Sequence, residues 1–126
     1  MSFVLINKKA KREYEILDTY VAGIVLSGPE VKSLRLGRAN IGDAYADPRE
    51  GEIWLINCHI SEYFNAQKEF QFSPTRPRKL LLHKKEIRKL QGSVQKQGLT
   101  LIVLKIFFNN KGIAKIDLGL GRGKKD

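Results

Sequence analysis

Between Tyr14 and Leu26, apolar side chains return at every second position. Tyr14, Ile16, Tyr20, Ala22, Ile24 and Leu26 share one face, and Asp18 is the interruption. A period of two predicts one long strand, and Gly23 inside it predicts a bulge, a bend or a close backbone approach. The pattern then changes. Ser27 and Glu30 have the spacing of a capping box, Pro29 suits a first turn, Val31 and Leu34 fall on a core-facing side, and Gly37 marks a stop, so a helix is expected over 27–37.

Alternation resumes near Ala44–Ala46 and Glu52–Asn57, separated by the turn-rich Asp47-Pro48-Arg49-Glu50-Gly51. Ile53-Trp54-Leu55-Ile56 is continuously apolar, which predicts a central strand. His59 to Tyr63 is a further short strand, and Asn65 to Arg78 reads as a long loop. Lys79 to Gln97 is expected to be helical, with His83, Ile87, Leu90 and Val94 forming a stripe and Gly92 a point of division. Leu99–Phe108 and Ile113–Leu120 are strands around Asn109-Asn110-Lys111-Gly112, a hairpin signal. Together these elements predict a mainly β single domain over 1–126: a small closed antiparallel barrel of the oligonucleotide-binding type. It would have five to six strands and two to three peripheral helices, with closure removing the sheet edges.

Charge adds a function class. The 126 residues hold 23 Lys+Arg against 13 Asp+Glu, a net charge of +10. Residues 1–67 carry 8 basic and 9 acidic side chains, whereas residues 68–126 carry 15 and 4, so the excess lies in the second half. Clustered cations of this kind gain by displacing counterions from phosphates, which implies a polyanion partner. The densest run is Arg76 to Lys89, where the pairs Lys84/Arg88 and Lys85/Lys89 would stand four apart on a helix and repel each other. Asn7-Lys8-Lys9-Ala10-Lys11-Arg12 is a second cluster. Gly119-Leu120-Gly121-Arg122-Gly123-Lys124-Lys125 is a third, whose glycines could let backbone N–H groups approach phosphates. Each also has a plain alternative: a solvated helix face, a frayed tail and a flexible end. Among the aromatic side chains that could stack on bases (Tyr14, Tyr20, Tyr45, Trp54, Tyr63, Phe64, Phe70 and Phe72), Phe70 and Phe72 are the better exposed candidates.

Catalysis finds little support. Cys58 is the only cysteine, which excludes an internal disulfide and suits a reducing cytosol. Cys58 and His59 are neighbours, and neighbours on a strand point to opposite faces. His59 and His83 have no metal-ligand spacing around them, nor do Asp43, Asp47, Glu50 and Glu52. No cofactor is expected. The N-terminus lacks the features of a signal peptide, and no apolar run is long enough for a membrane helix.

Five ordered segments resemble one family: Asn7-Lys8-Lys9-Ala10-Lys11-Arg12-Glu13-Tyr14, Ala22-Gly23-Ile24-Val25-Leu26, Glu30-Val31-Lys32-Ser33-Leu34-Arg35, Arg78-Lys79-Leu80-Leu81-Leu82-His83 and Gly121-Arg122-Gly123-Lys124-Lys125. They are similar to the signature of the SsrA-binding proteins, also called small protein B. The resemblance implies a bacterial, cytoplasmic, non-enzymatic protein, expected to be monomeric. It would bind the transfer-RNA-like domain of transfer-messenger RNA and deliver it to stalled ribosomes. It implies a first recognition surface around Asn7–Lys9, Val21–Gly23 and Leu81, and later ribosomal steps supported by Gly123, Lys124 and Lys125. Lys11, Arg12, Lys32, Arg35, Arg78, Lys79, Lys84 and Lys85 complete the expected RNA contacts, Ala22 being included within Val21–Gly23. Val21 stands where the family often has Glu, and Val103 where many members have Pro. Members usually continue beyond the position of Asp126 into a basic tail, so RNA binding without peptide tagging is expected of this chain. The alternative is a barrel that binds single-stranded RNA or DNA without sequence preference.

Overall fold

The computed structural model describes residues 4–63 and 72–124. Among them the order is β1 (Val4–Ile6), α1 (Ala10–Glu13), β2 (Tyr14–Ile24), α2 (Gly28–Arg35), β3 (Ala39–Asn40), β4 (Tyr45–Arg49), β5 (Glu52–Ile56), β6 (His59–Ile60), β7 (Arg78–Leu81), α3 (Lys84–Gln95), β8 (Thr100–Phe108) and β9 (Ala114–Gly123). The protein is mainly β. Seven strands pair in the order β1-β8-β4-β5-β7-β2-β9, β9 also pairs with β8, and β3 and β6 make a separate two-stranded ribbon. All of these pairings are antiparallel.

The long strand forms as its alternation predicts, and the interruption at Asp18 has a structural counterpart. The β2–β9 register shifts between Ile16 and Asp18, an irregularity of the kind that inserts an extra residue. One cross-strand row runs Leu5, Ile106, Ile116, Ala22, and the last three are buried. The core continues through Leu34, Ile53, Leu55, Leu80, Leu90, Leu101, Val103 and Leu118.

At the start of α2, the Ser27 hydroxyl accepts from the Glu30 N–H at 3.4 Å, and the Ser27 N–H donates to Glu30 Oε1 at 2.8 Å. Gly37 stops the helix in a left-handed conformation, φ 74°. The β4–β5 turn is tighter than its sequence suggests. β4 runs through Pro48 to Arg49, and only Glu50 and Gly51, both at positive φ, make the reversal. Pro48 is tolerated because β4 pairs with β8 only at Tyr45 and Ala46.

The segment expected to be helical over 79–97 is strand then helix. β7 ends at Leu81, and His83 precedes the first turn of α3 and is exposed, so it does not belong to the apolar stripe. Its N–H donates to the Glu86 carboxylate at 3.1 Å. Ile87 and Leu90 are buried as expected, and α3 runs unbroken through Gly92.

Three elements form outside the expected set, β1, α1 and β3, and the first two fold the N-terminal basic cluster. The C-terminal glycines are also ordered. Gly119 and Gly121 are buried in β9, where side chains would collide. A Cβ on Gly119 would meet Ile16 Cδ1 at 3.1 Å and Leu104 Cδ1 at 3.2 Å, and one on Gly121 would overlap the Glu15 carbonyl oxygen. Close strand packing, not phosphate approach, accounts for these two glycines.

Candidate nucleic-acid interface

Residues directly opposite one another in antiparallel strands point to the same face. The row beside the buried one therefore faces outward: Ile6 on β1, Lys105 on β8, Asp117 on β9 and Val21 on β2. The next outward row is Val4, Phe107, Lys115, Gly23 and, on β7, Leu81. Relative exposures of 46% for Val4, 60% for Ile6, 58% for Val21 and 53% for Leu81 make this face unusually apolar for a surface. Gly23 is where the sheet receives a neighbour: a Cβ there would lie 3.3 Å from Leu81 Cβ. The glycine lets Leu81 lie across β2.

The N-terminal cluster borders the same face. The Asn7 N–H donates to Leu104 O at 2.9 Å, and its Nδ2 donates to Val103 O at 3.0 Å. Asn7 Oδ1 accepts from the Lys9 N–H at 3.2 Å. Both ends of the Asn7 amide therefore hold the turn into α1 against β8. Beside it lies a cleft of about 380 Å³ lined by Ile6, Asn7, Lys8, Ala10, Lys11, Leu104, Lys105 and Asp117. Lys8, Lys11 and Arg12 are exposed, and Lys9 reaches Asp43 at 3.8 Å. At the end of β9, the Lys124 N–H donates to Glu13 O at 2.9 Å and Lys124 Nζ to Lys11 O at 2.8 Å, which brings the second and third basic clusters together. Gly123 is exposed with open space around it, and Lys125 lies outside the described residues.

The other expected contacts divide. Lys84 and Lys85 are exposed, three and four residues beyond Leu81, and no carboxylate among the described residues pairs with them. Lys79 points outward but pairs with Glu52. Lys32 and Arg35 on α2 turn to different partners. Lys32 Nζ lies 5.6 Å from the Tyr63 ring centre. The Arg35 guanidinium lies 4.4 Å from that of Phe108 and donates to Gly112 O at 3.0 Å.

Two expected contacts are corrected. The Ala22 side chain faces the core. Arg78 is fully buried, because β7 alternates Arg78 and Leu80 inward with Lys79 and Leu81 outward. Its guanidinium donates to Glu30 Oε2, to Cys58 O at 2.8 Å and to Pro74 O at 3.1 Å. Arg76 joins the same carboxylate. Glu30 is held below the usual carboxylate range. Burial opposes its charge, but hydrogen bonds from Arg76, the Ser27 N–H and Arg78 outweigh that.

Phe72 is half-buried against the core, with the Arg78 guanidinium 6.0 Å from its ring, while Phe64 and Phe70 lie outside the described residues. Burial pushes the Cys58 thiol up to about 11, which leaves it protonated and unreactive near neutrality, and His59 is exposed. The described residues contain no group of three or more His, Cys, Asp or Glu side chains placed to hold a metal ion. None of their helices is long and apolar enough to cross a membrane.

A mainly β protein that turns an apolar sheet face, rimmed by lysines, to solvent belongs to the class of small nucleic-acid-binding proteins. The family described as SmpB protein matches residues 4–126. The SsrA-binding protein of Rhodopseudomonas palustris (strain BisB18) is 54% identical over 119 residues, covering 94% of this chain and 75% of the relative. That of Sinorhizobium fredii (strain NBRC 101917 / NGR234) is 56% identical over 119 residues, covering 94% and 74%. A chain of the solved structure "tmRNA-SmpB: a journey to the center of the bacterial ribosome" aligns with TM-score 0.78 at 51% identity, covering 97% of this chain and 85% of that one. The chain belongs to the SmpB family of SsrA-binding proteins, a family of RNA-binding non-enzymes.

Proposed function

We propose that this chain is a cytoplasmic RNA-binding protein that holds the transfer-RNA-like domain of transfer-messenger RNA and delivers it to stalled ribosomes in trans-translation. The observation that carries this is the convergence of segments distant in sequence: Val21 and Gly23 with Leu81 on one sheet face, Lys8 and Lys11 along its border, and Lys124 against Lys11. Family membership and the likeness to a chain from a ribosome-bound assembly support the same partner.

A single domain over 1–126, monomeric in solution, is the simplest form of this reading. The pairings support an oligonucleotide-binding barrel: β8 pairs β4, β4 pairs β5, β5 pairs β7, β7 pairs β2, β2 pairs β9 and β9 pairs β8, a circuit of six strands. Such a circuit leaves none of the six with an open edge along its whole length. On this face, Lys8, Lys11 and Lys124 would neutralise phosphates, while Val21 and Leu81 would meet sugars or bases. The test is to isolate the chain from bacterial cells and sequence the RNA that accompanies it. Transfer-messenger RNA should be strongly enriched over its share of total RNA; an RNA population mirroring the cell's would refute the proposal.

A further inference from the structure

Phe107 lies in the outward row between Val4 and Lys115, with Gly23 and Leu81 beyond. Lys105, two residues before it on the same face, holds its ammonium 5.2 Å from the Phe107 ring centre. Inward-facing neighbours on β8, Ile106 and Phe108, are buried, whereas Phe107 is only half-buried. Sequence patterning gives no sign of it, because Leu99–Phe108 is apolar at nearly every position and its two faces look alike. Only register separates Phe107 from the core.

An aromatic ring on a pleated sheet face, with a lysine two residues away and another directly opposite, presents a π-surface between two cations. Exposed apolar side chains lie on both sides of it, so the face offers a flat strip for a planar apolar group whose neighbouring groups are anionic. The acid on the face, Asp117, lies 3.6 Å from Lys105 and so is compensated. That combination of apolar strip and positive rim fits a nucleobase within a phosphate chain. It fits a second copy of this basic protein poorly, because the lysines would face lysines.

We propose that Phe107 is a stacking platform for an unstacked base of the bound RNA, with Lys115 engaging a flanking phosphate. This rests on the RNA-binding function above and adds a contact residue to it. The experiment measures binding of a transcript of the transfer-RNA-like domain to wild type, Phe107→Leu, Phe107→Tyr and Lys115→Ala across a salt series, with thermal unfolding of each variant. Phe107→Leu removes the stacking surface and should bind about tenfold more weakly with an unchanged salt slope. Phe107→Tyr, which keeps a ring, should bind like wild type. Lys115→Ala should reduce the slope of log affinity on log salt by roughly 0.7–0.9. If wild type binds and stably folded Phe107→Leu binds equally well, the platform is refuted while the wider function stands. Failure of wild type to bind the transcript refutes the wider function. Dimerisation of wild type that Phe107→Leu abolishes would overturn the proposal in favour of a protein partner.

Discussion

Arg78 and Glu30, 48 residues apart, meet in the interior: Arg78 Nε lies 2.5 Å from Glu30 Oε2, and neither side chain is exposed. The same glutamate completes the capping box of α2, so one carboxylate fixes the helix start and receives a cation from β7. Taking two charges out of water is costly, but each remaining Arg78 donor group has a carbonyl to meet. Removing one partner leaves the other buried and unpaired. Glu30→Gln should therefore destabilise the fold by about 3–5 kcal/mol in urea unfolding, and Glu30→Met with Arg78→Met should cost less than the two single changes together.

The pH dependence has a definite sign. Glu30 has a lower proton affinity folded than unfolded. Its contribution is therefore fully present above the unfolded value of about 4.3, and is lost as pH falls through the depressed folded value. Stability measured from pH 7 downward should fall in that acid window in wild type. In Glu30→Gln this part of the decline should be absent; an unchanged acid limb would show that Glu30 does not set it.

Gly121 and Gly123 are two residues apart on β9 and should respond oppositely. A methyl at 121 meets the Glu15 carbonyl oxygen, whereas one at 123 meets nothing within 4 Å. Gly121→Ala should cost roughly 1–3 kcal/mol or more of stability, as overpacking does, while Gly123→Ala should be close to neutral. Thermal unfolding of the two variants side by side is the check.

Gly92 lies inside α3 with open space where a Cβ would go. Gly92→Ala removes the entropic penalty of glycine in a helix and should stabilise by up to about 1 kcal/mol, raising Tm by a few degrees. RNA affinity should not change.

Lys84 and Lys85 extend the basic rim beyond Leu81. If both neutralise phosphates, replacing the two by alanine should lower the slope of log affinity on log salt by roughly 1.4–1.8. An unchanged slope would remove the start of α3 from the interface.

The features carried by local spacing were legible in the sequence. The period-two run of β2 shows in its own residues, and the Ser27/Glu30 box and the Asn109–Gly112 reversal form between near neighbours. The features set by register were not. Arg78 looked like part of a basic surface because Arg76, Lys79, Lys84 and Lys85 surround it in sequence; β7's alternation turns it inward to a carboxylate contributed by α2. Phe107 was hidden in the apolar run of β8, and Lys115 joins it only through pairing with β9. Gly119 and Gly121 read as a phosphate approach or a flexible end because their reason, the close approach of Ile16, Leu104 and the Glu15 backbone, lies elsewhere in the chain.

Selection of a folded transfer-RNA-like RNA over any flexible polyanion can be measured by competition. A labelled transfer-RNA-like domain is bound to the chain at fixed salt, then displaced either by the same unlabelled transcript or by an unpaired RNA of equal length. Recognition of shape through the outward face predicts displacement by the transcript at a concentration at least roughly 100-fold lower. Equal competition by the two RNAs would contradict it and leave a binder of single strands held by charge alone.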